Sequence, residues 1–230
     1  IPSKADSTFA DGKVQLVDMS QHITYNLVCY SHDHEEDAED AEAAPATCDE
    51  NSLNADPHFW LDPVRMGQAA EFVKDKLIST YPEYQELYNN NYTVLAAAIE
   101  KLDLDYQEMA ASATKPIITT VMLFTYWAER YDLDILPIIT APHSDESNPG
   151  DIIELVAHAL EDEIHFVLFE KNTNSPAGEQ VLGELLDVDP TASAKFLHPI
   201  GNLTSMEEEA GSTYLTLMYD NLEILDIATK

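Results

Sequence analysis

The sequence predicts an α/β fold with a mainly parallel sheet and one long helix. Three observations carry this. From residue 115 onward, short apolar runs rich in Val, Ile and Phe alternate with amphipathic stretches, the pattern of strands joined by crossover helices. Tyr84, Leu87, Tyr88, Tyr92, Leu95, Ile99, Leu102, Tyr106 and Met109 recur at three- and four-residue intervals across residues 83–113. At 1.5 Å per residue they predict a helix about 45 Å long. Such a helix is long for a compact domain: it joins two lobes, or it is a helical hairpin broken near Asn89-Asn90-Asn91. Third, Asp62-Pro63 is a strong helix start, with Asp as N-cap and Pro at the first helical position.

In chain order, KVQLVDM (13–19) alternates like a short strand, with Val14, Leu16 and Met19 apolar. Residues 33–50 then hold nine acids and no Lys or Arg, too polar to bury much area, and read as a surface loop. His32 and His34 stand at its start. Cys29 and Cys48, the two cysteines of the chain, bracket it. In an oxidising compartment they would close the loop as a disulfide; two unpaired thiols are the alternative. The helix opened by Asp62 carries Met66, Ala70, Val73, Leu77 and Ile78 to Tyr81-Pro82. Beyond the long helix the order is strand (KPIITTVML), helix (FTYWAERYDL), strand (DILPIIT), helix (GDIIELVAHALEDE) and strand (HFVLFE, 165–170). A helix over 176–187, the strand AKFLHPI and a closing helix over 212–228 follow. The closing helix turns Tyr214, Leu217, Met218, Leu222 and Leu225 inward. Ligands of such sheets bind beyond the carboxyl ends of the strands.

The chain has 230 residues, 43 Asp+Glu against 11 Lys+Arg, and a formal net charge of −32. Nucleic acid and anionic membrane surfaces both need a basic patch, so neither is an expected partner. Cations, a cationic partner or a saline environment fit the charge. No run approaches the ~20 apolar residues of a membrane span. The opening IPSKADSTFADGK shows neither a basic start nor the apolar core of a signal peptide. P-loop, G-x-G-x-x-G, G-x-S-x-G and H-E-x-x-H motifs are all absent from the sequence. Two cysteines cannot build a zinc site of three or four thiolates. No enzymatic activity is expected, and a metal-dependent hydrolase ranks low because no general base stands out beside a ligand set.

Eight histidines are more informative. His58 follows Asp56-Pro57 and precedes Phe59-Trp60. His143 lies in the loop APHSDESNPG, near Asp145 and Glu146. His198 ends the strand KFLHPIG, where an α/β domain presents ligand groups. Imidazole suits Zn²⁺ and related ions, and carboxylates complete such shells. His32-Asp33-His34-Glu35-Glu36 suits loose, exchangeable metal binding. His22, His158 and His165 are read as structural or surface residues.

Asp56-Pro57-His58-Phe59-Trp60-Leu61-Asp62-Pro63 resembles the D-P-H-x-W-L-[DS]-P segment of the zinc/manganese-type solute-binding proteins of ABC transporters. Members often carry a His/acid-rich loop just upstream, as residues 31–50 do here. Phe124-Thr125-Tyr126-Trp127-Ala128-Glu129-Arg130-Tyr131-Asp132-Leu133 resembles the family's F-x-Y-F-x-x-x-Y-x-[LV] helix. HFVLFE, HPIGNL and YLTLMYDNLEIL follow in the family's order. The match spans roughly residues 12–228.

The resemblance implies two α/β lobes joined by one long helix, with a metal ion, Zn²⁺ or Mn²⁺, held between them as cargo. Capture would be extracytoplasmic, in the periplasm or at the cell surface, with delivery to an ABC-type membrane permease and no catalysis. On this plan residues 1–82 are a remnant of the N-terminal lobe with the acidic loop (31–50), residues 83–113 the connecting helix, and residues 114–230 the C-terminal lobe. Twelve residues precede KVQLVDM, where the family has most of its first lobe, so that lobe is expected to be incomplete in this chain. Family ligands are a His in the first lobe, the His of D-P-H-x-W, a His or Glu before the aromatic helix, and often a late Asp. His58 matches. The position before the aromatic helix falls at Val121, which cannot ligate, and the late Asp falls near His198. His143 is a substitute donor, and His32 and His34 belong to the loop. The loss at Val121 motivates an alternative: a diverged, non-transporting relative acting in adhesion or protein interaction, with a degenerate metal site.

Overall fold

The computed structural model describes residues 17–29, 53–139 and 149–230. Two short antiparallel strands, β1 (Leu27–Cys29) and β2 (Leu53–Ala55), pair Leu27 with Ala55 and Cys29 with Leu53. A 3-10 turn at Phe59–Leu61 leads into α1 (Pro63–Thr80). Asp62 caps α1 as expected, its side chain accepting from the N–H groups of Val64 and Arg65. A second 3-10 turn, Pro82–Tyr84, precedes α2 (Gln85–Ala111). This is the long helix: 27 residues, about 40 Å at 1.5 Å per residue. It is unbroken through Asn89-Asn90-Asn91, so the hairpin alternative falls away.

After α2 the chain alternates as β3 (Ile117–Val121), α3 (Thr125–Tyr131), β4 (Ile135–Ile139), α4 (Pro149–Glu161), β5 (Phe166–Glu170), α5 (Pro176–Val188) and β6 (Ser193–Leu197). Two helices close it, α6 (Ser205–Ala210) and α7 (Tyr214–Ala228). The four strands form one sheet in the order β4-β3-β5-β6, with every pair parallel. Successive side chains along a strand point to opposite faces, and the core divides accordingly. Ile117 and Leu168 join Leu102, Tyr106, Trp127, Met218 and Leu225 on the face covered by α2, α3 and α7. Ile118, Val167 and Phe169 join Ile152, Val181 and Leu185 on the face covered by α4 and α5. Gly178 lets α5 approach closely, because a Cβ there would lie 2.5 Å from Thr120 Cγ2. The chain leaves β3 for β4 on one side and returns to β5 on the other. The carboxyl ends of β3 and β5 therefore frame the switch point of the sheet.

Three expectations need adjustment. Val17–Met19 are not in a strand, and the rest of KVQLVDM lies outside the described residues. Helix α6 was not anticipated. The apolar stripe of α2 is buried only in its second half, at Ile99, Leu102, Tyr106 and Met109. Leu87, Val94 and Leu95, with Val73 and Leu77 of α1, remain exposed. The acidic loop 31–50, the Cys29–Cys48 pairing and His143 fall outside the described residues. No described helix is long and apolar enough to cross a membrane.

Candidate metal centre

The segment 56–62 is fastened at both ends to α3. Asp56, 1% exposed, receives the Thr125 hydroxyl on Oδ2, and its carbonyl accepts from Tyr126 Oη at 2.7 Å. Burial pushes the Tyr126 phenol up to about 12, so it remains a neutral donor. Trp127 Nε1 donates to the Leu61 carbonyl at 2.8 Å. Asp62, fully buried, bonds Arg65 Nη1, and Arg130 Nε lies 2.6 Å from its Oδ1. Arg65 also reaches Glu129, at 2.8 Å, and donates to Asn26 Oδ1 and the Thr24 carbonyl. A third tie runs from Trp60 Nε1 to the Pro199 carbonyl at 2.9 Å, which brings the segment to the loop after β6.

His58 is held within this frame. Its Nδ1 lies 2.6 Å from Asp56 Oδ1, and its backbone N–H donates to the same oxygen at 3.0 Å. Burial pushes the Asp56 carboxyl up, but the bonds from the His58 ring, the Thr125 hydroxyl and the His58 N–H outweigh it, and the net shift is downward. The ionised oxygen only accepts, so the proton of the neutral ring sits on Nδ1 and Nε2 keeps its lone pair. A carboxylate behind a histidine is the usual support of a metal-ligating imidazole. The ring is 29% exposed.

His198 is arranged the other way. It is 3% exposed and its Nδ1 accepts from the Ile200 N–H at 2.8 Å. The proton of its neutral ring is then on Nε2, which lies 3.4 Å from Glu207 Oε1 and has no hydrogen-bond partner of good geometry among the described residues. A protonated nitrogen has no lone pair for a metal. Asn221 locks the backbone of His198, accepting from its N–H at 2.7 Å and donating to its carbonyl at 2.9 Å. Ile200 is left-handed (φ 55°), a costly conformation for a β-branched residue. The Lys171 ammonium, with the N–H and hydroxyl of Thr204, draws the Glu207 carboxyl down to about 2.

Val121 ends β3 as a half-buried side chain packed on the core. His22 stacks on Phe72 at 4.1 Å, His158 lies 4.0 Å from Glu154 along α4, and His165 is 2.6 Å from Asp189. Among the described residues no three His, Cys, Asp or Glu side chains converge on one point. His32, His34 and His143 lie outside them.

The profile of the family described as ZnuA, zinc-uptake complex component A, periplasmic, matches residues 2–228. The chain belongs to this family. The zinc-binding lipoprotein AdcA of Streptococcus pneumoniae is 28% identical over 175 residues, 76% of this chain and 34% of AdcA. The chain thus spans about a third of the length of that relative. The crystal structure of the Zn(II)-bound ZnuA-like domain of the same species' AdcA is similar at 28% identity and a TM-score of 0.60, covering 76% of this chain and 64% of that one. The laminin-binding protein Lmb of Streptococcus agalactiae, described as bifunctional with adhesin and metal-transporting activity, is similar at 25% identity and a TM-score of 0.64. That match covers 81% of this chain and 69% of Lmb.

Two residues that hold the surroundings of His58 and His198 in this ZnuA-family chain escaped sequence reading. Thr125 gave no signal, being 69 positions from Asp56. Glu207 had one: Thr204-Ser205-Met206-Glu207 spells a capping box, and both of its reciprocal bonds form.

Proposed function

We propose that this chain is an extracytoplasmic zinc-binding protein, in the periplasm or at the cell surface, that delivers its ion to an ABC-type uptake permease by binding without catalysis. One observation carries the reading: His58 is oriented by a buried carboxylate, and among the described residues its Nε2 meets no partner, in a chain of the zinc-uptake family. The Zn(II)-bound state of the AdcA domain supports zinc as the cargo. The reading gives His58 the role of fixed donor. His143, with His32 and His34 of the acidic segment, would supply further donors. His198 serves the loop, because its Nδ1 is committed as an acceptor.

Calorimetric titration of metal-free protein with Zn²⁺ and Mn²⁺ tests this. Zinc should bind, and His58→Ala should weaken it by roughly 100-fold or more, beyond what loss of a supporting group causes. Identical isotherms for the two proteins would remove His58 from the site. Val121 and the likeness to Lmb favour a second reading, adhesion without transport. It predicts no zinc binding, together with retention on immobilised laminin.

A further inference from the structure

We propose that Thr125 is a positioning residue for zinc capture: its hydroxyl, acting through Asp56, sets which nitrogen of His58 faces the metal. The proposal rests on the reading of His58 as a donor. The Asp56 carboxylate has two oxygens with divided duties. Oδ1 meets the ring Nδ1 and the backbone N–H of His58, and Oδ2 takes the Thr125 hydroxyl. Asp56 is almost wholly buried, so water does not readily replace a lost partner.

Thr125 is well placed to hold that carboxylate still. It opens α3 directly after Leu123 and Phe124, both buried, and Phe124 stacks on Trp127 at 4.5 Å. The next residue, Tyr126, fixes the backbone of Asp56. The aim of His58, ahead of α1, is therefore set by a helix that follows β3. Without the hydroxyl, the carboxylate can turn about its Cβ–Cγ bond and Nδ1–H loses its fixed acceptor. The neutral imidazole then divides between two tautomers, and the form protonated on Nε2 cannot ligate. Valine keeps the shape of threonine without the hydroxyl, and serine keeps the hydroxyl.

The test compares the wild type with Thr125→Val and Thr125→Ser by two readings. Nitrogen-15 NMR of the imidazoles in metal-free protein reports the His58 tautomer, and zinc titration reports affinity. Wild type and Thr125→Ser should show His58 protonated on Nδ1. Thr125→Val should show both tautomers and bind zinc roughly 10- to 100-fold more weakly, the range for loss of a group supporting a ligand. A merely structural threonine would change the melting temperature and leave the tautomer alone. An unchanged tautomer with unchanged affinity in Thr125→Val overturns the proposal. If Thr125→Val does not fold, Thr125→Ala is judged by the same two readings. If the wild type binds no zinc but the tautomer still shifts in Thr125→Val, the hold of the hydroxyl on His58 stands and the metal reading of His58 falls.

Discussion

His58 and His198 stand near the two ends of one hydrogen bond, Trp60 Nε1 to the Pro199 carbonyl, yet they use Nδ1 in opposite senses. At His58 it donates to a buried carboxylate, and at His198 it accepts from a backbone N–H. One ring therefore offers a lone pair at Nε2, and the other offers a proton. The comparison teaches that what faces the inner nitrogen of a histidine decides whether its outer nitrogen presents a lone pair or a proton. The two regions are also held differently: the first by a network of charges fastened to α3, the second by the amide of Asn221 and the strained turn at Ile200.

Breaking the first region should cost most. Asp62→Ala removes the α1 cap and leaves Arg65 and Arg130 without their shared partner, an expected loss of about 3–5 kcal/mol for a broken buried ion pair. Because Asp62 anchors the turn that carries His58, zinc affinity should fall along with the denaturation midpoint. A variant that loses stability but keeps full affinity would show that His58 is positioned independently of the charge network.

The matching change in the second region is Asn221→Ala. It strips the buried N–H and carbonyl of His198 of their partners, at an expected cost of about 1–3 kcal/mol. The zinc isotherm should not move. Weakened zinc binding in a folded Asn221→Ala protein would return His198 to the metal site.

The smallest effect concerns acid. Asp56 and Glu207 both titrate below their ordinary values when folded. Each therefore adds stability that is present above the unfolded carboxylate range, about pH 4, and is lost as pH falls through its folded pKa. Melting temperatures of the wild type should fall more steeply between about pH 4 and pH 2 than those of Asp56→Asn. Equal slopes would mean that the Asp56 bonds contribute no proton linkage.

Much of the fold was legible in the sequence. The parallel sheet followed from alternating strand and helix periods, and the start of α1 from Asp62-Pro63. The continuity of α2 was not, because three asparagines are weak helix formers. A neighbour next to them ties the helix to α1: the Lys74 ammonium sits 4.6 Å from the Tyr92 ring. The site was legible only in part. The D-P-H motif placed Asp56 and His58 together, but nothing local announces that Thr125 or Arg130 closes on that motif from the far side of α2. The difference between His58 and His198 was beyond reach for another reason. It depends on hydrogen-bond direction, which spacing along a chain does not encode.

The closing helix α7 has a consequence in time. Tyr106 of α2 donates to the Met218 carbonyl at 2.7 Å, and the Thr229 carbonyl accepts from the N–H groups of Thr114 and Lys115 just ahead of β3. The second half of α2 and the approach to the sheet are thus completed by residues more than a hundred positions later in sequence. Contacts this distant in sequence must await closure of a long loop, which slows folding. During synthesis the inner stripe of α2 emerges well before its cover and stays open to other apolar surfaces until residues 214–228 arrive.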